Sequence, residues 1–194
     1  CAPIVSEKTL VILISQSGET ADTLAALREA KRLGARTLAI VNVVGSSIAR
    51  ESDDVIYTWA GPEIAVATTK AYSTQLAVSY LIALHIADCC GTIKKDEYDA
   101  LVSELMALPD KLKKVLNERE HIQYLASQYF NNEDVFFIGR NIDYALSLEG
   151  SLKLKEISYI HSDAYAAGEL KHGTISLVEE NTLVIAIATY AKLI

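Results

Sequence analysis

Three charged side chains lie at helical spacing in the second half of the chain and could share one acid-base site. Glu149, Lys153 and Glu156 follow one another at i, i+4 and i+7, so a helix would project all three from one face. Isomerisation of a sugar moves a proton between adjacent carbons, which requires a carboxylate base and a second group that polarises oxygen. Glu156 suits the base and Lys153 the donor. The alternative is a solvated helix face with ordinary Glu–Lys pairs.

A histidine in a polar loop is a further candidate for proton transfer. His172 lies in the glycine-bracketed segment 168–173, which precedes an apolar run. With a reference pKa of about 6.5, an imidazole can donate or accept a proton near neutral pH. Loops in this position often carry functional residues. A histidine that only fixes the loop would give the same pattern.

A hydroxyl-rich turn near the start of the chain could bind a phosphate group. The apolar run 10–14 predicts a strand buried on both faces, and the next helix begins after it. A helix start presents unpaired N–H groups to an anion. The side chains that could add hydrogen bonds are Ser15, Gln16, Ser17 and Thr20. The nucleotide-binding glycine patterns are absent, which favours a small monophosphate. The alternative is a capped helix that binds no ligand.

The elements that position these residues alternate between strand and helix. Apolar runs predict further strands at 37–41, 54–58, 135–138 and 182–188, and helical spacing predicts long helices at 64–87 and 146–157. This order indicates an α/β protein with two units of mainly parallel sheet. The charged, helical segment between them is broken near Pro109. We predict three parts, 1–92, 93–128 and 129–194, with the middle part as a connector.

Composition excludes several classes of protein. The net charge is −7 and the 18 Lys and Arg residues are scattered, which opposes a nucleic-acid or anionic-membrane surface. The apolar stretch 76–87 is shorter than the about 20 residues that span a bilayer. Three cysteines include the adjacent pair Cys89 and Cys90 and form no Cys-x-x-Cys pattern, which indicates a reducing cytoplasm. No secretory signal is visible.

Four segments together resemble the isomerase region of the glutamine:fructose-6-phosphate aminotransferase family, the glucosamine-6-phosphate synthases. They are SQSGETADT (15–23), GPEIAVATTKAY (61–72), EGSLKLKEISYI (149–160) and AYAAGELKHG (164–173). The resemblance implies two sugar isomerase (SIS) domains of the three-layer α/β/α type, both incomplete in this chain. It also implies that these domains bind fructose 6-phosphate and convert its aminated form into glucosamine 6-phosphate, a precursor of UDP-N-acetylglucosamine.

The resemblance implies roles for particular residues at the sugar. The four hydroxyl and amide side chains of 15–20 match phosphate-binding positions, while Val66 and Thr68 match positions that line the sugar. Thr68 stands where a serine is usual, so it keeps the hydroxyl and adds a methyl group. No cofactor and no metal are implied.

The resemblance also implies roles in proton transfer. Glu156 matches the carboxylate that moves the proton between C1 and C2, Lys153 a lysine that assists at the sugar oxygens, and Glu149 a supporting carboxylate. His172 matches a ring-opening histidine that reaches the sugar from a neighbouring subunit. A homodimer with shared active sites is therefore expected, as is a glutaminase domain in the full-length protein.

The ends of the chain depart from the family pattern. Cys1 is followed by alanine instead of glycine, and isomerase sequence begins directly after it, so we expect Cys1 to mark the edge of a fragment. An upstream serine loop and the tail lysine that forms a Schiff base are missing, and Lys192 does not match that lysine. The chain alone is therefore expected to bind sugar phosphate weakly and to catalyse poorly or not at all.

Two other functions remain open at this point. One is a stand-alone SIS-type aldose-ketose isomerase, which would need neither a glutaminase domain nor a Schiff-base lysine. The other is a non-catalytic sugar-phosphate sensor, against which the row of Glu149, Lys153 and Glu156 argues, because a sensor needs no proton transfer. Proton exchange at C1 and C2 of a hexose 6-phosphate would distinguish these functions.

Overall fold

A computed structural model describes residues 3–190 of the chain. The chain divides into two compact units, Cys1–Ala107 and Leu108–Ile194, and each unit holds one three-stranded parallel sheet. The unit boundary falls inside the predicted connector 93–128. Cys1 and Lys192, which carry the expectations about the chain ends, lie outside the described residues.

The first unit is built on three parallel strands that pair in chain order. These are β1 (Leu10–Ser15), β2 (Arg36–Val41) and β3 (Asp54–Tyr57). Its helices are α1 (Ala21–Arg32), α2 (Ser47–Glu51), α3 (Lys70–Cys89) and α4 (Lys95–Met106). The pairing register aligns Ser15 with Val41 and Val41 with Tyr57. The carboxyl ends of the three strands therefore meet at one edge of the sheet, where the loops that follow them begin.

The prediction that β1 is buried on both faces is wrong for the first unit. Leu13 and Ser15 are buried, whereas Ile12 and Ile14 retain 43% and 48% of their surface in solvent. The covered face packs against α1, whose Leu27 is fully buried in the core with Leu13. The other face borders a cavity of about 380 Å³ beneath α3, so the apolar run is packed on one side only.

The long helix of the first unit begins later than the predicted Ile64. α3 starts at Lys70, and residues 61–69 form an irregular segment between β3 and α3. The ammonium of Lys70 donates to the carbonyl of Pro62 over 2.7 Å and ties the start of the helix back to the segment. The β-branched residues Val66, Thr68 and Thr69 lower helix propensity here, although small apolar neighbours give the run a helical pattern.

The second unit has its central strand first in the chain. Its strands are β4 (Asp134–Gly139), β5 (His161–Ala166) and β6 (Leu183–Ile187), in the order β5-β4-β6. Its helices are α5 (Leu108–Asn117), α6 (Arg119–Tyr129) and α7 (Ile142–Ser158). The predicted helix break near Pro109 is confirmed, since α4 ends at Met106 and α5 begins at Leu108. The strand β5 was not predicted, because its sequence HSDAYA lacks an apolar run.

The helix α7 lies against its sheet through two unusual contacts. Gly150 faces Phe137, and a Cβ at position 150 would come within 3.1 Å of the phenyl ring. The neighbouring Ser151 is buried, and its hydroxyl donates to the carbonyl of Ser162 over 3.0 Å. The Ser162 hydroxyl in turn donates to the Ser151 carbonyl over 2.9 Å. α7 is therefore held close to both β4 and β5.

Membrane-spanning helices and metal clusters are absent from the part of the chain that the structure describes. No helix between residues 3 and 190 is long and apolar enough to cross a bilayer, although α3 has 20 residues. Within the same range, no group of three or more His, Cys, Asp or Glu side chains is placed to hold a metal ion.

Candidate active site

The turn between β1 and α1 closes on itself through hydroxyl groups. The Ser15 and Thr20 hydroxyls lie 2.9 Å apart and share a hydrogen bond, and the Gly18 N–H donates to the Ser15 hydroxyl over 3.1 Å. Thr20 is the N-cap of α1, yet its side chain makes no capping hydrogen bond in the described structure. The first N–H groups of α1 are therefore not taken up by their own N-cap side chain. Such groups attract anions.

Gly18 is required by a close approach of the next loop. Its φ is +67°, and a Cβ at this position would lie 2.0 Å from the hydroxyl oxygen of Ser46. Ser46 precedes α2 and is 3% exposed, and its hydroxyl has no hydrogen-bond partner among the described residues. The Ile48 N–H donates to the Gly18 carbonyl over 2.9 Å. The start of α2 thus supports the turn from behind.

A carboxylate in the turn is bound away from the hydroxyl groups. Glu19 accepts a hydrogen bond from the Ser47 N–H over 2.7 Å, so its charge lies at the start of α2. Hydrogen bonding with Ser47 lowers the pKa of Glu19 and keeps the side chain ionised. This contact explains how an acidic residue can lie inside a turn proposed to receive an anion. The contact of Glu19 with the Ser47 N–H and the close approach of Ser46 to Gly18 could not be read from the sequence.

The remaining predicted site residues of the first unit are exposed or half-buried. Ser17 is exposed, and its hydroxyl accepts from the Glu19 N–H over 3.2 Å. Gln16 is half-buried and its carbonyl accepts from the Asn42 N–H over 3.1 Å. In the irregular segment before α3, Val66 is 99% exposed and Thr68 is half-buried. Val66 therefore makes almost no packing contact with the described residues of its unit.

In the second unit, the structure brings the three predicted acid-base residues together on α7. The Lys153 ammonium lies 2.5 Å from a Glu156 carboxylate oxygen and 3.7 Å from a Glu149 oxygen. The side chains of Glu149, Lys153 and Glu156 retain 24%, 20% and 34% of their exposure. This charged row is therefore partly removed from solvent, in contrast to an ordinary surface pair.

Electrostatics fix the protonation state of the lysine in the charged row. The hydrogen bond to Glu156, aided by the charges of both carboxylates, raises the pKa of Lys153 above its ordinary value of 10.5. Burial opposes this effect but does not outweigh it. Lys153 is thus an ammonium at neutral pH, which can donate hydrogen bonds to an oxygen atom and cannot serve as a base.

His172 lies in the second unit on a separate loop. It ends a short 3-10 helix, Leu170–His172, and is exposed. The following Gly173 has a φ of +138° and lets the chain reverse there. Within residues 3–190, no hydrogen bond or ion pair joins the imidazole to the charged row. The structure therefore brings Glu149, Lys153 and Glu156 together and leaves His172 outside their contacts.

A second strand-to-helix turn, between β4 and α7, leads to a buried carboxylate in the first turn of α7. Asp143 is 4% exposed, and it accepts from the Thr189 N–H over 2.9 Å and from the Thr189 hydroxyl over 2.5 Å. These hydrogen bonds lower the pKa of Asp143, since they stabilise its ionised form. The turn borders a cavity of about 180 Å³ whose lining includes Gly139 and Tyr190.

Sequence reasoning missed three residues that shape these turns: Glu19, Asn42 and Asp143. Glu19 bonds a residue 28 positions away and Asp143 one 46 positions away, so neither pair has a local signal. Asn42 has a weak one, because a polar amide directly after the apolar strand 37–41 marks the carboxyl edge of a parallel sheet. Ligand-binding residues are common at that edge.

Comparisons with known proteins show the family to which the chain belongs. The SIS domain family matches residues 1–85 and 128–191. Two proteins named glutamine--fructose-6-phosphate aminotransferase (isomerizing), from Caldanaerobacter subterraneus subsp. tengcongensis and Clostridium tetani, are 64% and 62% identical to the chain. The alignments cover 96% and 98% of this chain and 31% of each relative. The chain therefore spans about a third of the length of these curated relatives.

Solved structures agree with the sequence comparison. The C-terminal domain of glucosamine-fructose-6-phosphate aminotransferase from Francisella tularensis has a TM-score of 0.94 at 39% identity, over 98% of this chain and 55% of that one. Glucosamine-6-phosphate deaminase from Thermotoga maritima has a TM-score of 0.75 at 28% identity, over 95% and 54% of the two chains. The predicted α/β fold with parallel sheets and the predicted resemblance to an enzyme family are confirmed: the chain belongs to the SIS domain family and resembles the glutamine–fructose-6-phosphate aminotransferases.

Proposed function

We propose that the chain is the isomerase part of a glucosamine-6-phosphate synthase, which binds fructose 6-phosphate and isomerises the aminated sugar to glucosamine 6-phosphate. The product serves amino-sugar synthesis towards UDP-N-acetylglucosamine. The observation that carries the proposal is the partly buried charged row, with the Lys153 ammonium 2.5 Å from Glu156 and 3.7 Å from Glu149. A protein that only binds sugar phosphate has no use for this arrangement. The sequence relatives support the same assignment.

The phosphate group binds in the turn between β1 and α1 in this proposal. Ser15, Gln16, Ser17 and Thr20 supply side-chain hydrogen bonds, and the first N–H groups of α1 supply backbone ones. The hydrogen bond between Ser15 and Thr20 orients both hydroxyls before the ligand arrives. Val66 and Thr68 line the sugar. The exposed position of Val66 leaves its side chain available to a ligand.

The proton transfer is assigned to the charged row. Glu156 takes a proton from C1 of the protonated C2 imine, so that the C1–C2 double bond forms as the C2=N bond becomes a neutral C2 amine. It returns the proton to C2 as the C1 hydroxyl loses its proton to water and becomes a carbonyl. The Lys153 ammonium donates a hydrogen bond to the sugar oxygen on which negative charge develops. Glu149 keeps the ammonium in place. His172 opens the sugar ring in an earlier step.

The finer organisation belongs to the proposal as well. We assign an SIS-type three-layer unit to each of 1–92 and 129–194, with 93–128 as the connector. The protein acts in the cytoplasm as a homodimer in which His172 serves the site of the neighbouring subunit, and a glutaminase domain of the full-length protein supplies ammonia. The chain by itself turns over slowly or not at all, since the proposal places other parts of the site outside it.

Deuterium exchange tests the proposal directly. The chain is incubated with fructose 6-phosphate in D₂O at high protein concentration, and deuterium at C1 and C2 is followed by NMR. We expect slow exchange in the parent chain and a loss of at least about 100-fold in Glu156→Gln, since general base catalysis contributes about 10²–10⁴-fold. Binding of the sugar phosphate should change little.

The matched control is Glu120→Gln, the same chemical change at an exposed position of α6. It should leave exchange unchanged. Exchange that persists in Glu156→Gln contradicts the role of Glu156. Binding without any exchange in the parent chain favours the sugar-phosphate sensor or an inactive fragment.

A further inference from the structure

Asn42 joins two loops at the carboxyl edge of the first sheet. It follows β2 directly, and its N–H donates to the carbonyl of Gln16 over 3.1 Å. Its side-chain oxygen accepts from the Thr58 hydroxyl over 3.0 Å and from the Ala60 N–H over 2.8 Å. Its side-chain nitrogen donates to the Gly61 carbonyl over 2.7 Å. One half-buried residue thus contacts both the turn after β1 and the segment after β3.

The segment after β3 depends on this support for its shape. Between Thr58 and Gly61 it has two positive φ values, +54° at Trp59 and +73° at Gly61. A positive φ is costly for a side chain such as tryptophan and persists only when neighbouring contacts determine it. The Asn42 amide pairs with Ala60 and Gly61 as a neighbouring strand would, beyond the end of β3.

We propose that Asn42 is a positioning residue that sets the sugar-lining segment relative to the phosphate-binding turn. The inference rests on the proposed function, because Val66 and Thr68 line the sugar only if that proposal holds. They follow Gly61 by five and seven positions along an irregular segment, so the course of the chain at Gly61 determines where these two side chains lie. Asn42 itself touches no substrate.

The contacts of Asn42 separate into two groups with different consequences. Its N–H holds the phosphate-binding turn at Gln16, and every amino acid except proline supplies this group. Its side-chain amide holds the sugar-lining segment, accepting from Thr58 and Ala60 and donating to Gly61 from separate atoms. Truncation of the side chain should therefore weaken recognition of the sugar and leave recognition of phosphate intact. A general loss of folding would weaken both.

The test compares fructose 6-phosphate with inorganic phosphate as probes, titrated into the chain and followed by NMR. In Asn42→Ala we expect the affinity for fructose 6-phosphate to fall about tenfold, as is typical for the loss of hydrogen bonds that position a loop. The affinity for inorganic phosphate should change less than twofold. The control Asn132→Ala removes an amide that donates to the Asn181 carbonyl in the second unit over 3.0 Å, and it should alter neither affinity.

A second variant keeps the test independent of folding defects. Thr58→Val removes one hydroxyl donor to Asn42 with little change of shape, and the fructose 6-phosphate affinity should fall about threefold, again without an effect on phosphate. Equal losses for both probes, or no loss for either, in the variants that fold would overturn the role of Asn42.

The proposed function is tested by the binding of the two probes to the parent chain. A parent chain that binds fructose 6-phosphate no more tightly than phosphate contradicts both proposals together. A preference for the sugar phosphate that persists in both variants contradicts the role of Asn42 alone.

Discussion

The two units place different chemistry at the same point of their folds. In each, a parallel strand leads through a short turn into a long helix: β1 into α1, and β4 into α7. The turn after β1 presents the hydroxyls of Ser15 and Thr20, and its one carboxylate, Glu19, binds the start of α2. The turn after β4 leads to Asp143, a buried carboxylate held by Thr189. The same backbone route thus leads to hydroxyl groups and the proposed phosphate site in the first unit, and to an internal carboxylate in the second.

The glycines of the two turns show the same difference. A Cβ on Gly18 would meet the Ser46 hydroxyl at 2.0 Å, so this glycine admits a neighbouring loop. A Cβ on Gly139 would meet the carbonyl of Asp143 at 2.4 Å, so that glycine admits its own helix. The first turn is shaped by a contact with another loop, and the second by the internal carboxylate and its helix.

The largest expected effect is at Gly18. Gly18→Ala should lower the free energy of unfolding by about 3 kcal/mol or more, since it combines a positive φ with a steric clash, and it should abolish measurable binding of fructose 6-phosphate. Gly45→Ala is the matched control, because Gly45 has a φ of +72° and no atom within 4 Å of its Cβ position. It should cost about 1–2 kcal/mol. Urea unfolding measures both, and equal losses would contradict the importance of the Ser46 contact.

The second-largest expected effect is on phosphate binding at the turn between β1 and α1. The double variant Ser17→Ala and Thr20→Ala should reduce the affinity for fructose 6-phosphate about tenfold or more, because hydrogen bonds to a charged group are lost. Binding of unphosphorylated fructose should not change. The control is Thr92→Ala with Ser127→Ala, two exposed hydroxyls whose hydrogen bonds are all to residues within five positions. Calorimetric titration gives the affinities, and equal losses for both sugars would refute a phosphate-binding role.

The smallest expected effect is on the stability that the buried Asp143 carboxylate provides, and it depends on pH. Because the pKa of Asp143 is lowered on folding, its ionised form stabilises the protein above the unfolded pKa of about 3.9, and this stabilisation is lost as the pH falls through the folded pKa. Asp143→Asn should therefore be less stable than the parent chain at pH 7, with a gap that narrows below about pH 4. Thermal unfolding across this range checks it.

The control for this pH dependence is Asp96→Asn, at an exposed position of α4. It should show no such change with pH. If the stabilities of Asp143→Asn and the parent chain fall in parallel, Asp143 is not the internal anion of its turn.

Local patterns predicted much of the fold. Apolar runs located β1, β2, β3, β4 and β6, and the i, i+4, i+7 spacing placed Glu149, Lys153 and Glu156 on one face of α7. These features depend on neighbours within a few positions. The late start of α3 and the polar strand β5 depend on contacts from elsewhere in the unit, such as the pairing of β5 with β4.

The sequence predicted the side chains of the candidate site, but it did not predict the contacts that hold them in position. The hydroxyls of 15–20 follow from the sequence, but the contact of Gly18 with Ser46 spans a helix and a strand. The amide of Asn42 likewise meets residues 16 to 19 positions further along. A sequence shows which groups could react, whereas the contacts that aim them arise only when the sheet brings strand ends together.

Gly150 determines how closely the helix that carries the charged row packs on its sheet. It is next to Glu149 and one turn before Lys153, and its missing side chain lets α7 settle onto the Phe137 ring. A methyl group there would require the Phe137 ring or the helix to give by a few tenths of an ångström, and any shift of the helix would carry the charged side chains with it. Misplacement by about 1 Å can cost a catalyst 100-fold. Gly150, a residue of low helix propensity, thus sets how closely the helix that carries the proposed acid-base residues approaches its sheet.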